Sequence, residues 1–374
     1  MKSSWFWALF FLLLFILLFA VSGFVSSEVF YERNDKLGQL LENLFVPLLS
    51  PLDKVAYNQK LNALANNPPP PEATTKTVKT KNKQGEIIKS IVTVPPPPTK
   101  PNLWPVQSVY PSPGAILPFK RIVAYYGNLY SKGMGVLGEY PEEEMLQKLD
   151  GEVNKWNLAD PSTPVTPALH YVAVVAQGSK GDDGKYRLRM PDTEIDKVLK
   201  IAAKIDALVF LDMQVGFSNL QIELPLLEKY FKMPQVHLGI DPEFSMKTGI
   251  KPGKIVGTFD AEDINFAANY LAKVVRENKL TPKMLVVHRY TQKMVTNYKK
   301  IEPLPEVQIV MNMDGWGQMA KKISTYQQFI YKEPVLFTGF KLFYKNDVLQ
   351  PGSVIMTPEQ ILKLNPQPIY VQYQ

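Results

Sequence analysis

From about residue 120 onward, short apolar runs alternate with stretches whose apolar residues recur at helical spacing. The clearest example spans residues 207–244. ALVFLDMQVG and QVHLGIDPEF are each an apolar run ending in acidic or amide groups: Asp212 and Gln214 in the first, Asp241 and Glu243 in the second. Such a run, bounded by polar or glycine residues, fits a strand buried on both faces. Between them Leu220, Leu224, Leu227 and Phe231 mark one face of a helix. Strand, helix and strand in this order form a βαβ unit, which implies a parallel sheet.

The alternation continues in both directions. RIVAYYG (121–127) predicts the first strand, with a helix over 141–156 after it. LHYVAVVAQG (169–178) predicts the second, followed by a turn-rich insert, GSKGDDGKYRLR, and a helix over 192–204 capped by Asp192. The unit above supplies the third and fourth strands. KIVGTF (254–259) predicts the fifth. The strongest helix of the chain follows over 260–278, with Asp260, Glu262 and Asp263 at its start and Ile264, Ala267, Leu271, Val274 and Val275 on one face. MLVVHRY (284–290), VQIVMNMDG (307–315) and PVLFTGFKLFY (334–344) predict the sixth to eighth strands. A last helix over 357–364 leads into YVQYQ, read as an extended tail. Eight strand–helix units in about 250 residues match an α/β fold of the (β/α)8 TIM-like barrel type. An open doubly wound sheet would be expected to carry a glycine-rich phosphate turn at its first strand–helix junction, and none is present.

Upstream the pattern changes. Residues 5–25, WFWALFFLLLFILLFAVSGFV, are almost wholly apolar and long enough to cross a bilayer. Lys2 precedes them and Glu28, Glu32 and Asp35 follow, which predicts a cytoplasmic N-terminus and an extracytoplasmic remainder. The expectation is a single-pass membrane anchor; the alternative is a signal cleaved in the Ala-Val-Ser-Gly stretch, giving a secreted protein. The domain organisation read from the sequence is an anchor or signal (1–27), a short helical stalk broken by Pro47 and Pro51 (28–67), a Pro/Lys-rich linker (68–118) and the barrel (119–374). Proline tetrads at 68–71 and 95–98 favour extended polyproline II in the linker.

Composition narrows the chemistry. An apolar share of 45% supports a proper core. The absence of cysteine excludes a disulfide framework, a Cys-zinc site and a thiol nucleophile. A formal charge of +7, part of it in the linker, does not point to nucleic acid. The three histidines, His170, His237 and His288, lack the spacing of a zinc-binding helix, and no metal ligand or cofactor is expected. His237, inside a strand, reads as a core residue. Residues 133–138 spell G-x-G-x-x-G, but they do not join a strand to a helix, and the PEEE that follows would repel a phosphate. GTFDAED faintly resembles the first motif of polysaccharide deacetylases, which also need a His-x-x-x-His pair that this chain lacks; Asp260 reads as a helix cap.

In a barrel the C-terminal strand ends converge on one mouth. The residues collected there are Tyr125, Tyr126 and Asn128; Gln177; Asp212 and Gln214; Asp241 and Glu243; His288 and Arg289; Asp314 and Trp316; and Lys341. Paired carboxylates among aromatic and amide groups suit glycoside cleavage, in which one carboxyl protonates the leaving oxygen and another acts as nucleophile or activates water. Glu243 is the expected acid, with Asp212 or Asp314 as its partner and Asp241 tuning it. Tyr125, Tyr126, Asn128, Gln177, Gln214, His288, Arg289, Trp316 and Lys341 are the expected substrate-binding groups, for a polysaccharide such as one of the cell envelope. Two rivals stay open: a non-catalytic carbohydrate-binding or surface scaffold protein, and a metal-assisted hydrolase using Asp212, Asp241, Asp314 and His288.

Taken together, the words YYGN, GVLGEY, AQGS, LDMQVG, DPEF, VGTFDAEDIN, VVHRYT, MDGWG and YVQYQ resemble a family of exported bacterial proteins with a glycoside-hydrolase-like TIM barrel. The resemblance covers roughly residues 121–374. It implies the barrel and export, and it brings no catalytic residues with it.

Overall fold

The computed structural model describes residues 50–81, 84–85, 87–96 and 101–374. The chain divides into two compact units, Met1–Ser50 and Pro51–Gln374, and apart from Ser50 the described residues belong to the second. The expected membrane span at 5–25 and the stalk up to residue 49 lie outside the described residues. Among the described residues no helix is long and apolar enough to cross a membrane.

Eight parallel strands close on themselves: β1 (Arg121–Gly127), β2 (Val165–Ala176), β3 (Leu208–Met213), β4 (Val236–Ile240), β5 (Lys283–Arg289), β6 (Val307–Met313), β7 (Phe337–Leu342) and β8 (Tyr370–Tyr373). Each pairs with its sequence neighbour in the barrel, and β8 pairs with β1. The α/β barrel expected from the hydrophobic pattern is therefore present, although one anticipated strand is absent from it and an unanticipated one takes its place. KIVGTF is a loop; only Phe259–Asp260 is extended, pairing with Val295–Thr296 outside the barrel. Its Gly257 N–H donates to Glu243 O (2.6 Å), so the segment folds back over the turn after β4. The YVQYQ tail instead supplies β8, fully buried between β7 and β1.

The helices form the outer layer: α1 (Lys54–Ala65), α2 (Glu142–Ala159), α3 (Asp192–Ala203), α4 (Leu220–Leu226), α5 (Ala261–Glu277), α6 (Met319–Tyr326) and α7 (Pro358–Ile361). Helix α5 buries Ile264, Ala267, Ala268, Leu271, Val274 and Val275, the stripe its periodicity predicts. Asp260 caps it in a reciprocal box with Asp263 and also accepts from Thr296 Oγ1 and Asn297 Nδ2, both at 2.6 Å. Pro191, not Asp192, holds the cap position of α3. The turn-rich insert after β2 returns as a short strand, Arg187–Arg189, antiparallel to the end of β2.

The glycines at 133–138 serve packing. A Cβ on Gly135 would stand 2.3 Å from Tyr126 O, and one on Gly138 would stand 2.1 Å from Asn128 O. Only glycine lets this loop lie against the end of β1.

Helix α1 packs on the barrel rather than standing apart from it. Tyr57 and Leu64 join the core, Asn66 Nδ2 donates to Leu364 O (2.8 Å), and Gln367 N donates to Leu64 O (2.7 Å). Within residues 68–118, Thr74–Lys81 and Ile87–Val94 pair as an antiparallel hairpin. Further on, Trp104 is buried and its indole N–H donates to Tyr331 O (2.9 Å). Gln308, near the start of β6, accepts from Ile116 N and Leu117 N (both 3.1 Å) and donates to Leu117 O (2.6 Å). That plug closes the N-terminal end of the barrel and leaves the opposite end for chemistry.

Candidate active site

A cavity of about 690 Å³ opens at the C-terminal ends of the strands. Its lining includes Tyr126 from β1, Gln214 after β3, Asp241 and Glu243 after β4, Tyr290 after β5, Asp314 and Trp316 after β6, and Lys341 from β7. Strand alternation decides which neighbour faces inward. Tyr126 lines the cavity, whereas Tyr125 points outward, its hydroxyl 3.2 Å from that of Tyr344. Tyr125 is therefore not at the mouth.

Three other expected binding groups also serve the scaffold. Asn128 donates to Val172 O (2.9 Å) and accepts from Tyr130 N (2.8 Å), which fixes a turn. Arg289 turns away from the mouth, pairs with Glu333 at 2.5 Å and donates to the carbonyls of Thr291, Gln292 and Val295. Gln177 does not line the cavity; its backbone N–H holds the insert by donating to Tyr186 O (2.8 Å).

Glu243 sits in a single 3-10 turn, Pro242–Phe244, which Asp241 caps by accepting the Glu243 N–H at 3.0 Å. The proline sets the first helical dihedral and the turn aims Glu243 at the cavity. Gln214 Nε2 reaches Asp241 Oδ2 (3.4 Å) and Tyr126 OH (3.3 Å), while its Oε1 accepts from Ala176 N (3.1 Å). Tyr126 OH in turn donates to Asp212 Oδ2 (3.3 Å). Asp314 lies between two bases, with Lys341 Nζ at 2.9 Å and His288 Nδ1 at 3.0 Å. Lys341 Nζ also stands 3.7 Å from the centre of the Tyr126 ring.

Beneath the cavity floor lie residues with no solvent exposure. His288 Nε2 and His170 Nε2 approach Asp212 Oδ1 at 3.6 Å and 3.5 Å. His170 Nδ1 is 2.6 Å from Tyr370 OH, which accepts from Gln372 Nε2 (3.0 Å). His170, Tyr290, Tyr370 and Gln372 were not among the expected residues. His170 lies in the middle of β2 rather than at its end, and the register of β2 on its neighbour β3, where Val172 faces Asp212, brings it against Asp212. Its inward-facing position in β2, opposite Tyr126 in register, was the available signal. His237 stays in the barrel wall, where Nδ1 accepts from Met284 N (3.1 Å).

The carboxyls are driven apart electrostatically. Burial, reinforced by Asp314, pushes Glu243 above its ordinary value, although Tyr290 donates to it. Burial also pushes Asp241 well up, and Glu243, Asp212 and Asp314 push in the same direction. Asp314 goes the other way: burial opposes its ionisation, but Lys341 and His288 outweigh that. Asp212 is held far down because His288 and His170 overcome its burial. Burial disfavours the charged form of His288, yet Asp212 and Asp314 hold its imidazole up to about 10. Burial brings His170 down to about 4. The floor thus pairs anions with cations, while the carboxyls at Asp241 and Glu243 retain protons more strongly.

The expectation named no metal ligand, yet His170, Asp212 and His288 each place one ligating atom within 4.8 Å of the others. This set differs from the Asp212, Asp241, Asp314 and His288 set of the metal-assisted rival.

Fold and site together define a closed eight-stranded parallel α/β barrel of the TIM-like type with an acid-lined mouth. No protein-family model and no curated protein matches the chain. Among solved structures it has weak likenesses to the C-terminal domain of Legionella pneumophila ChiA (13% identity, 64% of this chain and 62% of that one, TM-score 0.26). Another is a mutant of the cellobiohydrolase Cel6A from Humicola insolens (9% identity, 58% and 61%, TM-score 0.25). The chain spans about three fifths of the length of each. Likenesses at these scores carry no argument, and the fold rests on the strand pairing itself.

Proposed function

We propose that the protein is a glycoside hydrolase acting on polysaccharide. The observation that carries this reading is a pair of carboxyls lining one cavity in opposite surroundings: Glu243 is half-buried with Asp314 as an anionic neighbour, whereas Asp314 lies between Lys341 and His288. Glu243, half-buried and pushed up, keeps its proton and delivers it to the leaving glycosidic oxygen. Asp314, kept ionised by Lys341 and His288, faces the positive charge that develops on the sugar, as nucleophile or as base for water. Asp241 fixes the Glu243 turn and, holding its own proton, adds no second negative charge beside the acid.

Trp316, 49% exposed at the rim, offers a face for a sugar ring. Gln214 and Tyr126 supply hydrogen-bonding groups for hydroxyls. The apolar run at 5–25 and its flanking charges support a single-pass anchor that holds the barrel outside the cytoplasm, near envelope polysaccharide. A panel of envelope and plant polysaccharides, offered to wild type, Glu243→Gln and Asp314→Asn, tests the reading. Wild type should release reducing ends from at least one member, and both variants should be impaired; equal activity in all three would sink it.

A further inference from the structure

We propose that the barrel interior binds one divalent first-row transition metal ion through His170 Nε2, Asp212 Oδ1 and His288 Nε2, one layer below the cavity floor. The three ligands come from β2, β3 and β5 and are fully buried. Ligands about 2.0–2.2 Å from a tetrahedrally coordinated ion stand roughly 3.3–3.6 Å apart. The two nitrogens lie 3.5 Å and 3.6 Å from the Asp212 oxygen and all three donors lie within 4.8 Å of one another, so side-chain adjustment alone can close them on an ion.

Both rings are also braced as metal-binding imidazoles are. His170 turns Nδ1 to Tyr370 OH at 2.6 Å, and Gln372 supports that hydroxyl from the other side. His288 pairs Nδ1 with Asp314 Oδ2 at 3.0 Å, an ion-pair contact rather than an aligned hydrogen bond. Each ring therefore presents Nε2 inward. Neither Nε2 nor Asp212 Oδ1 has a hydrogen-bond partner. Three converging, buried, unsatisfied polar atoms are costly, and one cation satisfies all of them.

The neighbouring strand leaves the room. A Cβ on Gly239 would stand 2.5 Å from both Asp212 Oδ1 and His170 Nε2. Two imidazoles and one carboxylate favour ions such as zinc or iron(II) over magnesium or calcium. A shared proton on His288 is the competing occupant. It would engage Asp212 and Asp314 and would leave His170 Nε2 only a long 3.5 Å approach to Asp212 Oδ1.

The inference does not depend on glycan cleavage, and its test is separate. The full chain, stripped with chelator, is titrated with zinc alone while thermal unfolding is followed, and with cobalt(II) alone while visible absorption is followed. One zinc per chain, a higher Tm and cobalt ligand-field bands are expected in wild type and in Glu243→Gln. His170→Gln and Asp212→Asn, checked for folding by circular dichroism, should bind zinc at least tenfold more weakly. X-ray absorption of the zinc-loaded wild type should show two imidazole ligands, a readout that survives if the variants do not fold. Wild type that takes up no zinc, zinc bound without two imidazoles, or a folded His170→Gln that binds equally well would overturn the proposal.

Discussion

Asp241 is a carboxyl whose environment opposes its charge. It is 2% exposed, and its carboxyl is pushed well up, first by burial and then by Glu243, Asp212 and Asp314. A carboxyl with a raised folded pKa binds its proton more tightly folded than unfolded. Folding stability therefore falls as pH rises from the ordinary carboxylate value, about 4, through the raised one. Asp241→Asn keeps an oxygen for the Glu243 N–H and removes that proton linkage. The variant should lose the decline in Tm that wild type shows between pH 5 and pH 8, and at pH 8 should melt roughly 2–4 °C higher. A steeper decline in the variant would contradict the assignment. Lys341 has a kinetic counterpart. It is the main cation holding Asp314 down, and it also lowers Glu243 less strongly. In Lys341→Met both limbs of the pH profile of kcat/KM should move to higher pH, the acidic limb further, as seen in initial rates from pH 3 to pH 9.

At the scale of elements, the hydrophobic pattern reveals a strand where both faces of the chain are apolar, as in β1, β3, β5 and β6. It does not say what a strand pairs with. KIVGTF has the composition of a strand, yet Ile255 and Val256 each remain 37% exposed, because Gly253 and Gly257 turn the segment over the Glu243 turn. YVQYQ is short and looks like a tail; its pairing with β7 and β1 makes it a strand, and that is a property of the closed barrel. The acids were legible because they follow apolar runs. His170 was not, because it sits mid-strand rather than at a strand end, and its approach to Asp212 depends on the register of β2 on β3. Neighbouring pairs such as Tyr125 and Tyr126 needed the register to show which one faces in.

The closed lower end is equally long-range in origin. Gln308 satisfies three backbone groups of residues 116–117. Gln308→Leu leaves those groups without partners and should destabilise the domain by about 2–4 kcal/mol, measured by urea unfolding, since each buried orphan costs roughly 1–3 kcal/mol. A change below about 0.5 kcal/mol would mean the plug is replaceable by water.

For the molecule as a whole, the compact unit extends upstream of the first barrel strand. Tyr57, Trp104 and Leu117 are 3%, 4% and 0% exposed, all before residue 119, where the sequence pattern placed the start of the barrel domain. Buried side chains of this kind contribute roughly 1.5–3 kcal/mol each. A chain starting at Pro51 should unfold cooperatively, and one starting at 119 should be insoluble or melt at least about 10 °C lower. Matching melting curves would show that the upstream segment is dispensable.

If Glu243 donates the proton that lets the sugar's leaving group depart, as proposed, its loss should matter in proportion to the leaving group's need for protonation. Wild type and Glu243→Gln are compared on a hydrolysed polysaccharide and on a dinitrophenyl glycoside of the same sugar, whose leaving group departs without protonation. Loss of a general acid should cost about 10²–10⁴-fold on the polysaccharide and less than about tenfold in the bond-breaking step on the activated glycoside. Equal losses on both substrates, or no loss on either, would rule out Glu243 as the general acid.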